Sequence, residues 1–97
     1  MTEPSQNSDD SPNTPAGLEF PCAYPVKAMG KADEKFHQTV IDVVAQFASV
    51  DATQVRSKNS KAGNYRSITV TIHVESRTQL EQIYQALRAH RDVLWTL

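Results

Sequence analysis

The segment from Ser67 to Val74 constrains the fold more than any other part of the sequence, because it alternates strictly between apolar and polar side chains. The apolar set is Ile68, Val70, Ile72 and Val74, and the polar set is Ser67, Thr69, Thr71 and His73. Successive side chains of a β-strand point to opposite faces of a sheet. The alternation therefore predicts a strand over residues 65–74 with one buried face and one polar, open face.

The flanking sequence predicts two amphipathic helices and three further strands. In chain order, these are a strand over residues 21–30, a helix over 33–48, a weak polar strand within 51–61, a helix from a capping box at 76–79 to about residue 90, and a short strand over 92–97. Each helix has its apolar side chains along one stripe, so each can bury only one side.

The predicted order is therefore β-α-β-β-α-β. The arrangement that buries every apolar surface is an α+β, ferredoxin-like βαββαβ fold, with a four-stranded antiparallel sheet and two helices on one face. Right-handed crossovers place the first and third strands in the centre and the other two at the edges. The second face of the sheet is predicted to stay bare.

Composition limits the remaining possibilities. Residues 1–17 contain three prolines and three acidic residues but no Lys or Arg, which predicts a disordered tail ahead of a single domain over residues 18–97. A single cysteine excludes an internal disulfide, and three widely spaced histidines offer no metal-ligand pattern. No apolar run approaches the ~20 residues of a membrane span. The polar N-terminus lacks the features of a secretory signal, so we expect a cytoplasmic protein without cofactor or metal.

Two motifs in the first and third strands carry a family pattern. They read Phe20-Pro21-Cys22-x-Tyr24-Pro25-x-Lys27-x-Met29-Gly30 and Ser60-Lys61-x-Gly63-x-Tyr65-x-Ser67-Ile68-Thr69-Val70. Together they resemble the YbeD-like family, a group of small bacterial proteins of unknown function, and the resemblance covers residues 18–97. It implies a ferredoxin-like fold similar to that of the ACT regulatory domains, and it implies no established activity.

The segment that joins the second and third strands is the most basic part of the sequence. Residues 56–66 hold four cationic side chains, no acidic one and one aromatic ring. The candidate anion-binding set is Arg56, Lys58, Lys61, Tyr65 and Arg66. In this interpretation the cations bind phosphates and the tyrosine stacks on a base. The alternative is a solvated edge hairpin whose charges prevent aggregation.

The third strand argues against one mode of nucleic-acid binding. RNA-recognition domains share this topology and place aromatic side chains on the open face of their third strand. The corresponding positions here are the candidate open-face residues Ser67, Thr69, Thr71 and His73. Nucleic acid is therefore the less favoured partner.

Three further features have both a functional and a structural interpretation. Gly30 and Lys31 form the candidate effector loop that the ACT-like resemblance implies, where a helix N-terminus would receive a carboxylate or phosphate. The alternative is a turn glycine followed by a helix cap. Cys22 is expected to be half-buried rather than reactive. Trp95, near the C-terminus, is a candidate interface anchor, but on the short final strand it is expected to close the core.

No nucleophile, acid and base converge in the sequence, so we predict neither catalytic residues nor enzyme activity. The expected function is a non-enzymatic interaction or regulatory module that resembles the ACT-like domains and docks partners on its bare sheet face and edges. The expected partner is another protein or a second copy, and a small-molecule effector is a further candidate. The alternative function is nucleic-acid or anion binding through the hairpin of residues 56–66.

Overall fold

The computed structural model describes residues 17–96, so the predicted tail lies outside the described residues except for Gly17. In chain order the elements are β1 (Cys22–Lys31), α1 (Glu34–Ala45), a 3-10 turn (Ala52–Gln54), β2 (Val55–Asn59), β3 (Tyr65–Val74), α2 (Arg77–Ala89) and β4 (Trp95–Thr96). The strands form one antiparallel sheet in the order β2-β3-β1-β4. The predicted ferredoxin-like fold, with β1 and β3 in the centre, is confirmed.

Helix α1 begins where a side chain caps it. The Asp33 carboxylate accepts a hydrogen bond from the Lys35 N–H at 2.8 Å, which satisfies one of the free N–H groups of the first turn. The helix ends at Ala45, three residues before the predicted end. The N–H groups of Gln46 and Phe47 bond to carbonyls three residues back, which tightens the chain into a turn.

Helix α2 begins at the predicted capping box, although the box closes differently. The Gln79 N–H donates to the Ser76 hydroxyl at 3.2 Å, as expected for such a cap. The Gln79 side-chain oxygen accepts from the Glu75 N–H at 2.7 Å, one residue ahead of the usual partner. Its amide nitrogen donates to the Phe47 carbonyl at 2.8 Å and so joins the start of α2 to the turn after α1.

The polar segment ahead of β2 contains a 3-10 turn that is capped by Asp51. The Asp51 carboxylate accepts hydrogen bonds from the hydroxyl and the N–H of Thr53, and these two bonds lower the pKa of that carboxyl. This cap fixes the short 3-10 turn, so that β2 starts only at Val55. The weak strand predicted within residues 51–61 is therefore a turn followed by a five-residue edge strand.

The core lies between the helices and one face of the sheet. The fully buried side chains are Val26 and Ala28 of β1, Val40 and Val44 of α1, Ile68, Val70 and Val74 of β3, and Leu80, Ile83, Tyr84 and Leu87 of α2. The hydroxyl of Tyr84 hydrogen-bonds to the Tyr24 side chain and to the backbone of Lys27. Burial is the largest cause that raises the pKa of Tyr84 well above its usual value, so the phenol stays neutral.

At Gly30 the backbone of β1 closely approaches Phe36 and Asp92. A Cβ atom at this position would lie 2.5 Å from the Asp92 carbonyl oxygen and 2.6 Å from the Phe36 ring. A side chain has no room there, since the backbone oxygen and the buried ring cannot both retreat. The glycine allows β1 to continue under α1 as far as Lys31.

Candidate functional site on the open sheet face

The face of the sheet turned away from the helices is called here the open face. By the strand register, it presents Ala23, Pro25, Lys27, Met29 and Lys31 of β1, Arg56 and Lys58 of β2, Tyr65, Ser67, Thr69, Thr71 and His73 of β3, and Trp95 of β4. The register places on this face the four polar β3 residues that the sequence assigned to it. The face remains uncovered within the described part of the chain.

Cross-strand pairing arranges these side chains in two rows. Thr69 pairs with Arg56 on one side and with Lys27 on the other. Paired side chains on one face of antiparallel strands are immediate neighbours. One row of the open face therefore runs cation, hydroxyl, cation across β2, β3 and β1.

The second row lies two residues along the strands. Ser67 pairs with Lys58 and with Met29, and Met29 pairs in turn with Trp95. This row therefore changes from a cation at β2 to an apolar and aromatic end at β4. The two rows together divide the open face into a basic part and an aromatic part.

The basic part encloses a shallow concavity of about 460 Å³, called here the cationic depression, which is lined by Lys27, Arg56, Ser57, Lys58, Ser67 and Thr69. Cations from β2 and β1 flank hydroxyl groups on β3. The four described strands hold no Asp or Glu, so no carboxylate of the sheet neutralises these charges. Such an arrangement attracts anions and offers hydroxyl donors to them.

Tyr65 and Trp95, called here the aromatic pair, lie on the open face on either side of β1. Their ring centroids are 5.8 Å apart and the rings are tilted by 54°. The two residues are 40% and 43% exposed, so part of each stays open to solvent. The expectation that Trp95 closes the core is wrong. Val93 takes the buried position instead, and the register turns Trp95 outward beside Met29.

The five candidate residues of the basic hairpin do not form one group. Arg56 and Lys58 line the cationic depression, Tyr65 belongs to the aromatic pair, and Lys61 is exposed in the turn. Arg66 lies on the opposite face. Its guanidinium donates to the Asn59 side chain at 3.0 Å and to the Asp33 carbonyl at 3.3 Å, which ties the hairpin to the start of α1.

The two ends of the open face differ in charge. His73 lies at the end far from the cationic depression, and its Nε2 is 2.8 Å from a carboxylate oxygen of the exposed Glu75. Thr71 lies between His73 and Thr69 on the same face. The structure thus places the predicted open-face residues together, but only Ser67 and Thr69 contact the cationic depression.

The candidate effector loop is placed at a second concavity. A cleft of about 330 Å³ beside the start of α1 is lined by Lys31, Asp33, Lys35, Phe36, Arg91, Asp92 and Leu94. Lys31, the last residue of β1, lines this cleft, whereas Gly30 is enclosed within β1, where its role is steric. The lining combines three cations with two carboxylates, so the cleft has much less net charge than the cationic depression.

The free edge of β1 is poorly suited to pairing with another strand. The Leu94 N–H donates to the Met29 carbonyl at 2.8 Å, which shows that the backbone groups of Met29 point to the β4 side of β1. Backbone groups of alternate strand residues point to the same side, so those of Lys27 and Pro25 also point to this edge. Pro25 has no N–H to offer there. The backbone of Lys27 is already hydrogen-bonded to the Tyr84 hydroxyl. The other edge strand, β2, carries two cations, which oppose edge pairing.

Other kinds of site are not evident within residues 17–96. No group of three His, Cys, Asp or Glu side chains there is close enough to hold a metal ion. Cys22 is half-buried at the start of β1, as expected. Neither described helix has the length and apolar character that crossing a membrane requires.

Two members of the open face, Lys27 and Trp95, were not among the candidate site residues named from the sequence. The strand register places both residues on this face. Lys27 pairs with Thr69, and Met29 pairs with Ser67 on one side and with Trp95 on the other. The signal available in the sequence was the parity of β1. Lys27 lies an odd number of residues from the buried Val26 and Ala28, so it must face away from the core.

The same fold occurs in solved structures. The solution structure of protein HP0495 from H. pylori has a TM-score of 0.68, with 98% of each chain covered and 18% sequence identity. The ACT domain of GTP pyrophosphokinase from Chlorobium tepidum has a TM-score of 0.61 at 12% identity, covering 77% of this chain and 94% of that domain. At these identities the likeness establishes the fold.

Sequence relatives identify the family. A "UPF0250 protein" of Paraburkholderia phytofirmans is 48% identical over 74 residues, which cover 75% of this chain and 83% of the relative. A second, from Nitrosomonas europaea, is 43% identical over 81 residues, covering 82% and 93%. The family described as "Protein of unknown function (DUF493)" matches residues 15–97. The chain therefore belongs to the DUF493 family, which confirms the resemblance to YbeD-like proteins.

Proposed function

We propose that this protein is a non-catalytic binding module whose open face docks an anionic partner. The observation that carries the proposal is the cationic depression, in which Lys27, Arg56 and Lys58 surround hydroxyl groups on strands without a carboxylate. An anion seated there meets positive charge from two strands and hydrogen-bond donors from the strand between them.

The composition of the depression supports binding rather than catalysis. Its six lining residues are three cations and three serine or threonine residues, so the lining holds no histidine, cysteine or carboxylate. The depression is also shallow, whereas reactions usually need a site that excludes water. These groups suit the recognition of a charged surface.

The charge of the open face also favours a different molecule over a second copy as its partner. Two copies that met through this face would bring six lysine and arginine side chains of the two depressions together. Like charges that face each other across an interface cost several kcal/mol. The edges are disfavoured for self-association by the blocked backbone groups of β1 and by the cations of β2.

The test is a titration of the protein into fluorescently labelled polyanions, followed by anisotropy at low and moderate salt. The probes are poly-L-glutamate and an oligouridylate of about 12 nucleotides. The site variant combines Lys27→Gln, Arg56→Gln and Lys58→Gln. The control variant combines Lys35→Gln, Arg88→Gln and Arg91→Gln, which removes the same net charge from exposed positions outside the open face.

The wild-type protein and the control variant are expected to bind at least one probe, and the site variant is expected to bind it at least about tenfold more weakly. An equal loss in both variants would show attraction by net charge alone and would refute a site on the open face. Absence of binding to both probes at low salt would also contradict the proposal. Urea unfolding of each variant verifies that the fold is retained.

A further inference from the structure

We infer that the anionic partner of the open face is a single-stranded nucleic acid, which stacks bases on the aromatic pair and lays phosphates along the cationic depression. This inference rests on the proposed function and names its partner. It depends on one juxtaposition: Tyr65 and Trp95 occupy the same face of the sheet as Lys27, Arg56 and Lys58.

The aromatic part of the face is the first reason. Single-stranded nucleic acids combine a charged backbone with flat bases, and the proteins that bind them combine cationic grooves with aromatic side chains. Here Tyr65 and Trp95 are both about two-fifths exposed and their rings lie 5.8 Å apart, so both residues reach solvent at one end of the face. An acidic peptide would use the cations but would have no need of these rings.

The path across the sheet is the second reason. The row that begins at Trp95 continues through Met29 and Ser67 to Lys58. It crosses four strands, which lie about 4.8 Å apart, so a ligand travels roughly 14 Å from the aromatic end to the basic end. Open sheet faces of this width hold about two or three stacked bases in RNA-recognition domains.

The flatness of the site is the third reason, because it selects single strands over duplexes. The major groove of DNA admits a helix or a two-stranded ribbon, whereas a four-stranded sheet face is too broad to enter it. The hydroxyl groups of Ser67 and Thr69 lie between the cations and are available to phosphate or to ribose hydroxyl groups.

The sequence identified only one ring of this stacking surface, Tyr65 of the basic hairpin. The middle of β3 carries Ser67 and Thr69 where RNA-recognition domains carry aromatic residues. The structure supplies rings from elsewhere, with Tyr65 at the first position of β3 and Trp95 on β4, on opposite sides of β1. The aromatic platform is therefore displaced to one end of the face.

The experiment measures binding of labelled oligouridylate by anisotropy in the full chain, with poly-L-glutamate as the competing anion. The aromatic variants are Tyr65→Leu, Trp95→Leu and, as the conservative control, Tyr65→Phe. Each leucine variant is expected to weaken oligouridylate binding roughly ten- to hundredfold and to leave poly-L-glutamate binding unchanged. Tyr65→Phe keeps a flat ring and is expected to retain the affinity.

The salt dependence gives an independent readout. Replacing the three cations of the depression by glutamine is expected to reduce the slope of log K against log salt by about 2, at roughly 0.7 for each phosphate contact on a single strand. The aromatic variants are expected to leave this slope unchanged, because stacking releases no counterions. Circular dichroism and urea unfolding establish that each variant is folded.

The outcomes separate the inference from the proposed function. If poly-L-glutamate binds and the leucine variants bind oligouridylate as tightly as the wild type, the nucleic-acid inference is wrong while the docking surface stands. If a matched duplex binds as tightly as the single strand, the choice of a single strand is wrong. If neither anion binds, or if the cation variant binds normally, both proposals are overturned.

Discussion

The two faces of β3 share one backbone and differ in almost everything else. Ile68, Val70 and Val74 are fully buried against the helices, whereas Thr69 and Thr71, on the other face, remain partly exposed. The buried face has to satisfy the packing of two helices, so its chemistry is largely dictated by the fold. The open face packs against no helix within residues 17–96, so core packing does not dictate its cations and aromatic rings.

The largest expected difference between the two faces is the loss of unfolding free energy when a side chain is truncated. Ile68→Ala removes a fully buried side chain and is expected to lower the free energy of unfolding by about 2–5 kcal/mol. Thr69→Ala, one residue further on the open face, is expected to change it by no more than about 0.5 kcal/mol. Urea unfolding followed by circular dichroism measures both values.

An equal loss in the two variants would break the comparison. It would mean that the open face is packed in solution, by a second copy or by another part of the chain. Repeating the measurement over a range of protein concentrations distinguishes these two cases, because only an oligomer becomes more stable at higher concentration.

The second prediction concerns the stability cost of adding a side chain at Gly30, on the buried face of β1. Gly30→Ala places a methyl group against the Asp92 carbonyl and the Phe36 ring, and is expected to cost about 1–3 kcal/mol or more. Gly63 is the matched control. It has no atom within 4 Å of a built Cβ, and its φ of +78° lies in the left-handed region.

The two glycines are expected to respond differently to asparagine. Asparagine tolerates the left-handed conformation, so Gly63→Asn is expected to be less costly than Gly63→Ala. At Gly30 the larger side chain worsens the steric conflict, so Gly30→Asn is expected to be more costly than Gly30→Ala. If asparagine were better than alanine at both positions, the steric explanation for Gly30 would be wrong.

The sequence predicted the buried face much better than the open one. The bounds of β3 and the cap of α2 at Ser76 followed from local alternation and from the reach of one side chain. These signals depend on neighbours a few residues away, which a sequence displays directly. The end of α1 at Ala45 was missed because it depends on a local choice between two hydrogen-bond patterns.

The candidate site depended on long-range pairing, and this limited its prediction. Grouping Arg56 and Lys58 with Arg66 treated a hairpin as one surface, although neighbouring residues of a strand face opposite sides. Lys27 joined the site through a register with a strand about 40 residues away. The position of Trp95 depended on where a two-residue strand begins, and a shift of one residue would have turned it inward.

The third prediction concerns pH and the buried face. Burial, and then the interaction with Tyr24, raise the pKa of Tyr84 above its usual value of about 10. The neutral phenol is favoured in the folded state. This contribution is therefore complete below about pH 10 and is lost as the pH rises further, with a slope that approaches about 1.4 kcal/mol per pH unit.

Tyr84→Phe removes that titration while keeping the ring in the core. The variant is expected to be less stable at neutral pH, since it loses the hydrogen bonds to Tyr24 and to the Lys27 backbone. Between about pH 10 and pH 11, its free energy of unfolding is expected to fall less steeply than that of the wild type. If the unfolding free energies of the variant and the wild type fell equally with pH, Tyr84 would ionise equally well in the folded and the unfolded protein, and the prediction would be wrong.

The smallest effect distinguishes two cations that the sequence places together. Arg66→Gln removes hydrogen bonds to the Asn59 side chain and to the Asp33 carbonyl, so a loss of about 0.5–1.5 kcal/mol in unfolding free energy is expected. Lys58→Gln removes a charge from the cationic depression and is expected to weaken anion binding while leaving stability within about 0.5 kcal/mol. Because both substitutions remove one charge, net charge cannot explain a stability loss in one variant and a binding loss in the other.

Urea unfolding and polyanion anisotropy on the same two proteins test which cation stabilises the fold and which binds the anion. If Arg66→Gln weakened binding more than Lys58→Gln, the anion would sit at the hairpin and the start of α1, and the division between a structural and a binding face would have to be redrawn.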